Sequence, residues 1–95
     1  MKPTDIKTPQ EQRIMQEGGR LLARALQQVQ DAVRPGISTR ELDAIAEAGI
    51  RGYGGSEPSF KGYQGFPATL CVSINDEIVH GIPRPDRFLK NGDIV

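Results

Sequence analysis

Apolar residues in the first half of the chain recur at steps of three and four, which is the period of an α-helix. The segment Thr8-Pro9-Gln10-Glu11 has the pattern of a capping box with proline in the first helical turn. Residues 34–36 (RPG) should end this helix, because proline disfavours a helical residue before it. The pattern predicts a helix of roughly 25 residues, about 37 Å long. Its apolar face would consist of Ile14, Gly18, Leu21, Leu22, Ala25, Val29 and Val33.

A second helical segment follows this break. Residues 38–41 (STRE) repeat the capping-box pattern. They precede residues at helical spacing, namely Leu42, Ile45, Ala46 and Gly49. Residues 8–52 are therefore predicted to form a pair of helices.

The period of the pattern changes from 3.6 to 2 after Pro67. Residues 70–74 (LCVSI) and 77–80 (EIVH) read as strands, and Asn75-Asp76 between them has turn chemistry. We therefore expect a β-hairpin, and a two-residue loop would place Cys71 directly opposite His80 on one face. A three-residue loop would shift this register. Residues 91–95 (NGDIV) predict a turn that leads into a strand begun at Asp93.

The segment between the helices and the hairpin is rich in glycine and aromatic residues. It contains Gly49, Gly52, Gly54, Gly55, Gly62 and Gly65, mixed with Tyr53, Phe60, Tyr63 and Phe66. One interpretation is a loop that covers a core with its rings. The other is a ligand pocket, because glycine lets the backbone approach a ligand while rings form the walls. Residues 53–95 are thus expected to form a glycine-rich aromatic loop and a hairpin, within one domain over residues 1–95.

Composition narrows the class of protein. Twelve Lys and Arg residues balance twelve Asp and Glu residues, so a nucleic-acid or membrane-surface partner has no electrostatic basis. No apolar stretch reaches the roughly 18–20 residues that span a bilayer, and no signal-peptide core follows the N-terminus. A single cysteine excludes an internal disulfide and fits a reducing compartment, so we expect a soluble cytoplasmic protein. One His and one Cys are too few for a structural zinc site, which needs about four ligands.

Cys71 and His80 are the candidate chemical groups of the predicted hairpin. Side by side they could act as a nucleophile and its base, but the pattern shows neither an orienting third group nor an oxyanion hole. A single cysteine is more often a small buried apolar residue. His80 could be held at a rim as a general acid or base near neutral pH, or it could be a core histidine bonded to a carbonyl. The residues alone leave both interpretations of His80 open.

Three segments of the second half resemble type I methionine aminopeptidases: 58–67 (PSFKGYQGFP), 71–83 (CVSINDEIVHGIP) and 91–95 (NGDIV). The helical half also fits that family at residues 6–9 (IKTP) and 34–43 (RPGISTRELD), so the resemblance covers essentially the whole chain. It implies the N-terminal half of an α/β (α+β) pita-bread fold, in which two helices are followed by a β-hairpin. The active site of such a fold lies between two pseudo-symmetric halves.

The resemblance also implies a function. Family members remove the initiator Met from nascent proteins when the next residue is small, so nascent peptides, and with them the ribosome, are the implied partners. Two divalent metal ions (Co, Mn, Fe or Zn), held by two Asp, one His and two Glu, activate the water that attacks the scissile carbonyl. By the same resemblance His80 hydrogen-bonds near the scissile amide. The pocket for the Met side chain would be lined by Tyr63, Phe66 and Cys71, with Phe60 at its edge. His80 would be the catalytic residue and, with these four, would bind the substrate.

Two differences from the family bear on these expectations. Positions 60 and 66 are both Phe where some members carry Cys and Tyr, which alters the shape of the pocket. All five metal ligands would lie beyond Val95, so we expect an N-terminal fragment of the peptidase that binds no metal and is inactive alone. The alternative is a non-catalytic module that binds a peptide or a partner. A strand that has barely begun at the last residues favours the fragment.

Overall fold

The fold is built on two helices of unequal length. The computed structural model describes residues 2–54 and 56–95, so Met1 and Gly55 of the glycine-rich segment lie outside the described residues. Helix α1 covers Pro9–Ala32 (24 residues) and helix α2 covers Thr39–Arg51 (13 residues). Short 3-10 turns lie at Pro3–Asp5 and Tyr63–Gly65. The two helices that the sequence predicts are therefore present, and within the described part of the chain neither could cross a membrane.

Both helices begin at the residues that cap them. Thr8 Oγ1 accepts a hydrogen bond from Glu11 N (3.1 Å), and the Glu11 carboxylate accepts one from Thr8 N (2.9 Å), so the predicted capping box is formed. Ser38 Oγ accepts from Glu41 N (3.1 Å), which is one half of the second predicted box. Between the helices Gly36 has a φ of +92°, a conformation that favours glycine. The two caps therefore explain where each helix begins, and the conformation of Gly36 explains the turn between them.

The core lies where helix α2 covers the C-terminal half of α1. Its buried members are Val29, Ile37, Leu42, Ala46, Val72, Ile74 and Leu89. The predicted apolar face of α1 is only partly buried, because Ile14 and Leu22 are 65% and 61% exposed. Helical spacing aligns these side chains, but α2 has about half the length of α1 and cannot cover them all. Ala25 remains buried because Gly49 of α2 approaches it closely.

The β-hairpin predicted over residues 70–80 is wrong. The two arms form no strand in the part of the chain that the structure describes. Away from the turn, Val72 N donates to Gly81 O (2.9 Å). In the register that would place Cys71 opposite His80, Val72 would face Val79. The observed partner, Gly81, lies two residues further along the chain. Asn75 and His80 have positive φ values (57° and 56°), which turn the backbone out of the extended conformation.

Side chains accept the hydrogen bonds that a paired ladder would need. Glu77 N donates to Ile74 O (3.1 Å), but Ile74 N donates to the carboxylate of Glu77 (3.0 Å) instead of to its backbone carbonyl. In the same way Gly81 N donates to Ser73 Oγ (3.3 Å). Side chains that bond to nearby backbone groups compete with a ladder, and here they replace it.

The segment between the helices pairs with a later part of the chain. Gly36 N donates to Leu89 O (2.7 Å), and Leu89 N donates to Ile37 O (2.9 Å). Ser38 forms an isolated antiparallel bridge with Phe88 beside these bonds. The pairing holds the chain after residue 84 against the start of α2.

The strand predicted to begin at Asp93 is also not formed within the described residues. Asp93 accepts from Lys90 N (2.8 Å) and from the side-chain amide of Asn75 (3.1 Å). Ile94 N donates to Asn75 Oδ1 (3.0 Å), and Asn75 N donates to Ile94 O (2.8 Å). Asn75 thus holds the last residues to the turn by a mixture of side-chain and backbone bonds, which an extended ladder would not use.

Candidate functional site

Three aromatic rings and the single histidine lie together at one open pocket. The Phe60 ring centroid is 4.9 Å from that of Phe66, 6.1 Å from that of Tyr63 and 5.7 Å from the imidazole of His80. The rings of Phe66 and His80 are 6.5 Å apart and meet edge to face. The pocket has a volume of about 370 Å³ and is also lined by Gln64, Gly65, Pro67 and Ile82. Four of the five residues expected at the site therefore lie side by side.

Residues 60–67, which we call the aromatic loop, present these rings from one tight turn. Tyr63 N donates to Phe60 O (3.1 Å), Phe66 N donates to Tyr63 O (3.0 Å), and Gly62 N donates to Phe66 O (2.7 Å). Gln64 lies between them with a φ of 49°, a left-handed conformation that costs a non-glycine residue roughly 1–2 kcal/mol. The turn brings the rings of the loop to one side, where they can form a pocket wall.

His80 reaches this wall from a separate segment with an unusual backbone. Its φ of 56° is left-handed, a conformation that His adopts more often than most residues. The neighbouring Gly81 holds it in place, because Gly81 O accepts from Val72 N (2.9 Å) and Gly81 N donates to Ser73 Oγ (3.3 Å). The side chain of His80 is solvent-accessible at the pocket rim, so it is not the core histidine of the alternative interpretation.

The aromatic loop and the residues after it are attached to helix α2 by two carboxylates one turn apart. Asp43 Oδ1 accepts from the backbone N of Thr69 (2.9 Å) and of Leu70 (2.7 Å). Glu47 Oε1 accepts from Thr69 Oγ1 (2.8 Å) and from Lys61 Nζ (2.6 Å). These bonds, with that from Lys61 the strongest, lower the pKa of Glu47 to about 2. This pair is not among the site residues that the sequence predicts, although its spacing of four residues places both carboxylates on one helix face.

Cys71 lies at a different cavity from the aromatic rings. It borders an apolar groove of about 480 Å³ with Leu26, Val29, Val33, Leu42, Leu70, Val72 and Val95. Cys71 is exposed overall, and partial desolvation of its thiol raises its pKa. A nucleophilic cysteine requires the opposite shift. The structure therefore does not bring Cys71 together with His80, and the pairing expected from the hairpin is wrong.

The described residues do not fit a divalent metal centre. Within residues 2–54 and 56–95, no three His, Cys, Asp or Glu side chains are grouped so that they could hold a metal ion. Asp43 and Glu47 lie on one face but are engaged with backbone N–H, hydroxyl and ammonium donors. The chemistry of these residues is therefore that of hydrogen bonding and positive-charge binding.

Comparison with known proteins defines the class. Residues 13–95 match the family model of metallopeptidase family M24, and the chain belongs to that family. Within the family it is similar to methionine aminopeptidase 1 of Bacillus subtilis (strain 168), with 53% identity over 89 residues that cover 94% of this chain and 35% of the relative. It is also similar to the methionine aminopeptidase of Escherichia coli (strain K12), with 42% identity over 90 residues, or 95% and 34% of the two chains. The resemblance drawn from the sequence is confirmed.

Solved structures agree with this assignment. A methionine aminopeptidase from Rickettsia prowazekii superposes with a TM-score of 0.87 and 36% identity, covering 93% of this chain and 35% of that chain. The enzyme from Thermotoga maritima gives a TM-score of 0.88 and 35% identity over the same shares. The expected pita-bread architecture is thus confirmed for the two helices and the course of the chain, without the hairpin. The chain spans about a third of the length of the curated relatives it matches.

Proposed function

We propose that this chain supplies the methionine pocket and an orienting histidine to a methionyl aminopeptidase that removes the initiator Met from nascent proteins. The observation that carries this proposal is one pocket lined by Phe60, Tyr63, Phe66 and His80, with Phe60 and Phe66 beside the imidazole, in a chain of family M24. Nascent peptides as substrate make the cytoplasm the place of action and the ribosome a docking partner.

The pocket suits a thioether side chain. Methionine is unbranched and polarizable, and its sulfur makes favourable contacts with ring edges at about 5 Å. A volume of about 370 Å³ accommodates such a side chain, and the pocket is open on one side for the peptide that follows. Tyr63 (57% exposed) lies at the outer edge, where the Met backbone would leave the pocket. Of the predicted lining residues, Cys71 has the least geometric support because it borders another cavity.

His80 would act on the peptide and not on the side chain. Its imidazole lies at the rim beside Phe60 and Phe66, and both ring nitrogens can serve as donor or acceptor according to the protonation state. A hydrogen bond from this position to the scissile amide would orient the amide and stabilise charge as it develops.

The family name implies divalent metal ions, for which Co, Mn, Fe and Zn are the candidates. When bound in a metallopeptidase, such ions supply the activated water. The part that we propose for the described residues is recognition and orientation. We therefore expect the 95-residue chain alone to leave Met-Ala-Ser intact when any of these metals is added, as monitored by chromatography of released Met. Metal-dependent turnover by a pure sample would contradict this division of roles.

A titration of the 95-residue chain with L-methioninamide tests the pocket directly. We expect saturable NMR shifts of the rings of Phe60, Phe66 and His80, and much weaker binding of glycinamide, which has no side chain to bury. Tyr63→Ala should weaken methioninamide binding by about tenfold, as expected for an aromatic contact residue. Tyr53→Ala is the matched control, because Tyr53 does not line the pocket. Its ring instead contacts Arg24, whose Cζ lies 5.0 Å from the ring centroid. Equal binding of the two amides would refute the proposal.

A peptide-binding module without hydrolysis would use the same pocket. The two functions differ in what the gene encodes after Val95 and in whether Met is released. An open reading frame that continues with an Asp within a few codons supports the peptidase, whereas a stop codon supports the module.

A further inference from the structure

One carboxylate of helix α2 holds the aromatic loop on both sides of its rings. Lys61, which directly follows Phe60, donates from Nζ to Glu47 Oε1 (2.6 Å). Thr69, two residues after the loop, donates from Oγ1 to the same oxygen (2.8 Å). The second oxygen of Glu47 accepts from Arg51 Nε (3.2 Å) of the same helix. Both oxygens are therefore engaged, and the orientation of the carboxylate is determined from three directions.

Helix α2 is a firm base for such a contact. Leu42 and Ala46, on the face next to Glu47, are 1% and 4% exposed in the core. The aromatic loop, in contrast, has a single 3-10 turn of its own at Tyr63–Gly65. The backbone hydrogen bonds within residues 60–66 order the turn itself. Contacts from outside the loop are still needed to fix where the Phe60 side of the turn lies relative to His80, because ordering its side chains costs conformational entropy.

We propose that Glu47 is a positioning residue for the methionine pocket, which it builds by holding Lys61 and Thr69 so that the ring of Phe60 stays beside His80. This inference rests on the proposed function for the meaning of the pocket, but the ring geometry itself is independent of any ligand. The mechanism is preorganisation: a pocket whose walls are already ordered loses less entropy when a ligand binds.

The charge environment supports this role. The side chains of Glu47 and Lys61 are 26% and 42% exposed, so solvent screens their attraction and their effect on global stability is small. Asp43 independently holds the backbone of Thr69 and Leu70. Loss of the Glu47 charge should therefore release mainly the Lys61 end, next to Phe60, while the rest of the fold is kept.

Two variants isolate the contact. Glu47→Gln keeps an acceptor for Thr69 but removes the charge that binds Lys61, and Lys61→Met removes the ammonium while keeping a long side chain. In the 95-residue chain without ligand, we expect each variant to lose the nuclear Overhauser effect between the rings of Phe60 and His80. Each should also raise the Kd for L-methioninamide by about three- to tenfold, the range for a partly exposed charge-assisted bond. The double variant should be no worse than either single one, because both changes break the same contact.

Glu17→Gln is the matched control, because Glu17 is also a helix carboxylate in an ion pair, with Arg20 (3.6 Å), away from the pocket. It should leave the ring contact and the affinity unchanged. An unaltered Phe60–His80 contact in both Glu47→Gln and Lys61→Met would overturn the inference. Additive losses of affinity for L-methioninamide in the double variant would overturn it as well. If Glu47→Gln fails to fold, Lys61→Met decides alone, since it leaves the bonds of Thr69 and Arg51 to Glu47 in place. Failure of the parent chain to bind methioninamide would count against the proposed function, and the ring contact would still test Glu47.

Discussion

The backbones of Gly81 and Val72 lie in direct contact: a Cβ built on Gly81 would lie 1.9 Å from the carbonyl oxygen of Val72. The carbonyl carbon of Val72 would be at 2.6 Å, and Val72 N donates to Gly81 O (2.9 Å) on the same side. Val72 is part of the buried core, so its backbone cannot withdraw. His80 directly precedes Gly81, so this contact holds the backbone beside the residue whose imidazole lies against the aromatic rings.

We therefore expect Gly81→Ala to lower the free energy of unfolding by about 2–3 kcal/mol, since the obstructing atoms are backbone. Urea unfolding followed by circular dichroism measures this change. Gly18→Ala is the control, because its added Cβ meets no atom within 4 Å and lies inside α1. That substitution should stabilise the chain by up to about 1 kcal/mol. A Gly81→Ala protein as stable as the parent would show that the contact is not restrictive.

Thr39 links the start of helix α2 to the segment after His80. Its Oγ1 accepts from Arg84 N (2.7 Å) and donates to Arg84 O (3.2 Å), and the residue is 1% exposed. Thr39→Val keeps the shape but leaves both backbone groups without this partner, so we expect a loss of about 1–3 kcal/mol. Thr39→Ser keeps the hydroxyl and should recover most of that loss. The comparison of the two variants in thermal and urea unfolding separates the hydrogen bonds from packing; equal stability of Val and Ser variants would contradict this account.

Acid should weaken the protein partly through Glu47. The pKa of Glu47 is lowered from 4.5 to about 2 in the folded state, first by the hydrogen bond from Lys61 and then by that from Thr69. A folded-state pKa below the unfolded value means that the charged form adds stability above pH 4.5, and that this stability is lost as pH falls towards 2. Urea midpoints measured between pH 6 and 2 should therefore fall more steeply for the parent than for Glu47→Gln, by a small margin because solvent screens the Glu47–Lys61 pair. Parallel profiles would contradict the shift.

Kinetics can separate the roles of His80 and Cys71. The measurement needs a longer polypeptide that also contains a region corresponding to the remaining two thirds of the methionine aminopeptidase relatives. His80→Ala should lower kcat by about 10²–10⁴-fold, the usual size for a group that transfers or binds a proton in the transition state. Metal content should not change, because we assign His80 to the peptide. Cys71→Ser should cost little in kcat and act mainly on KM. Loss of bound metal in His80→Ala, or an inactive Cys71→Ser, would refute these assignments.

Residues close in sequence determined the helices of this protein. Thr8 with Glu11 and Ser38 with Glu41 cap helices across three residues, so the helix starts could be predicted from the sequence alone. The motif around His80 likewise identified the family, because its residues are contiguous. The grouping of Phe60, Tyr63 and Phe66 with His80 was implied only through that resemblance, since His80 lies 14 positions after Phe66.

Only the tertiary structure decided which patterns were realised. Residues 70–80 alternate as strands do, yet Glu77 and Ser73 accept the bonds of a ladder with their side chains, because the close approach of Gly81 to Val72 sets a different pairing. The apolar stripe of α1 is exposed at Ile14, since burial depends on the length of the partner helix and not on spacing. Glu47 bonds to Lys61 and Thr69, which lie 14 and 22 residues further along the chain. No local sequence pattern encodes a partner at that separation.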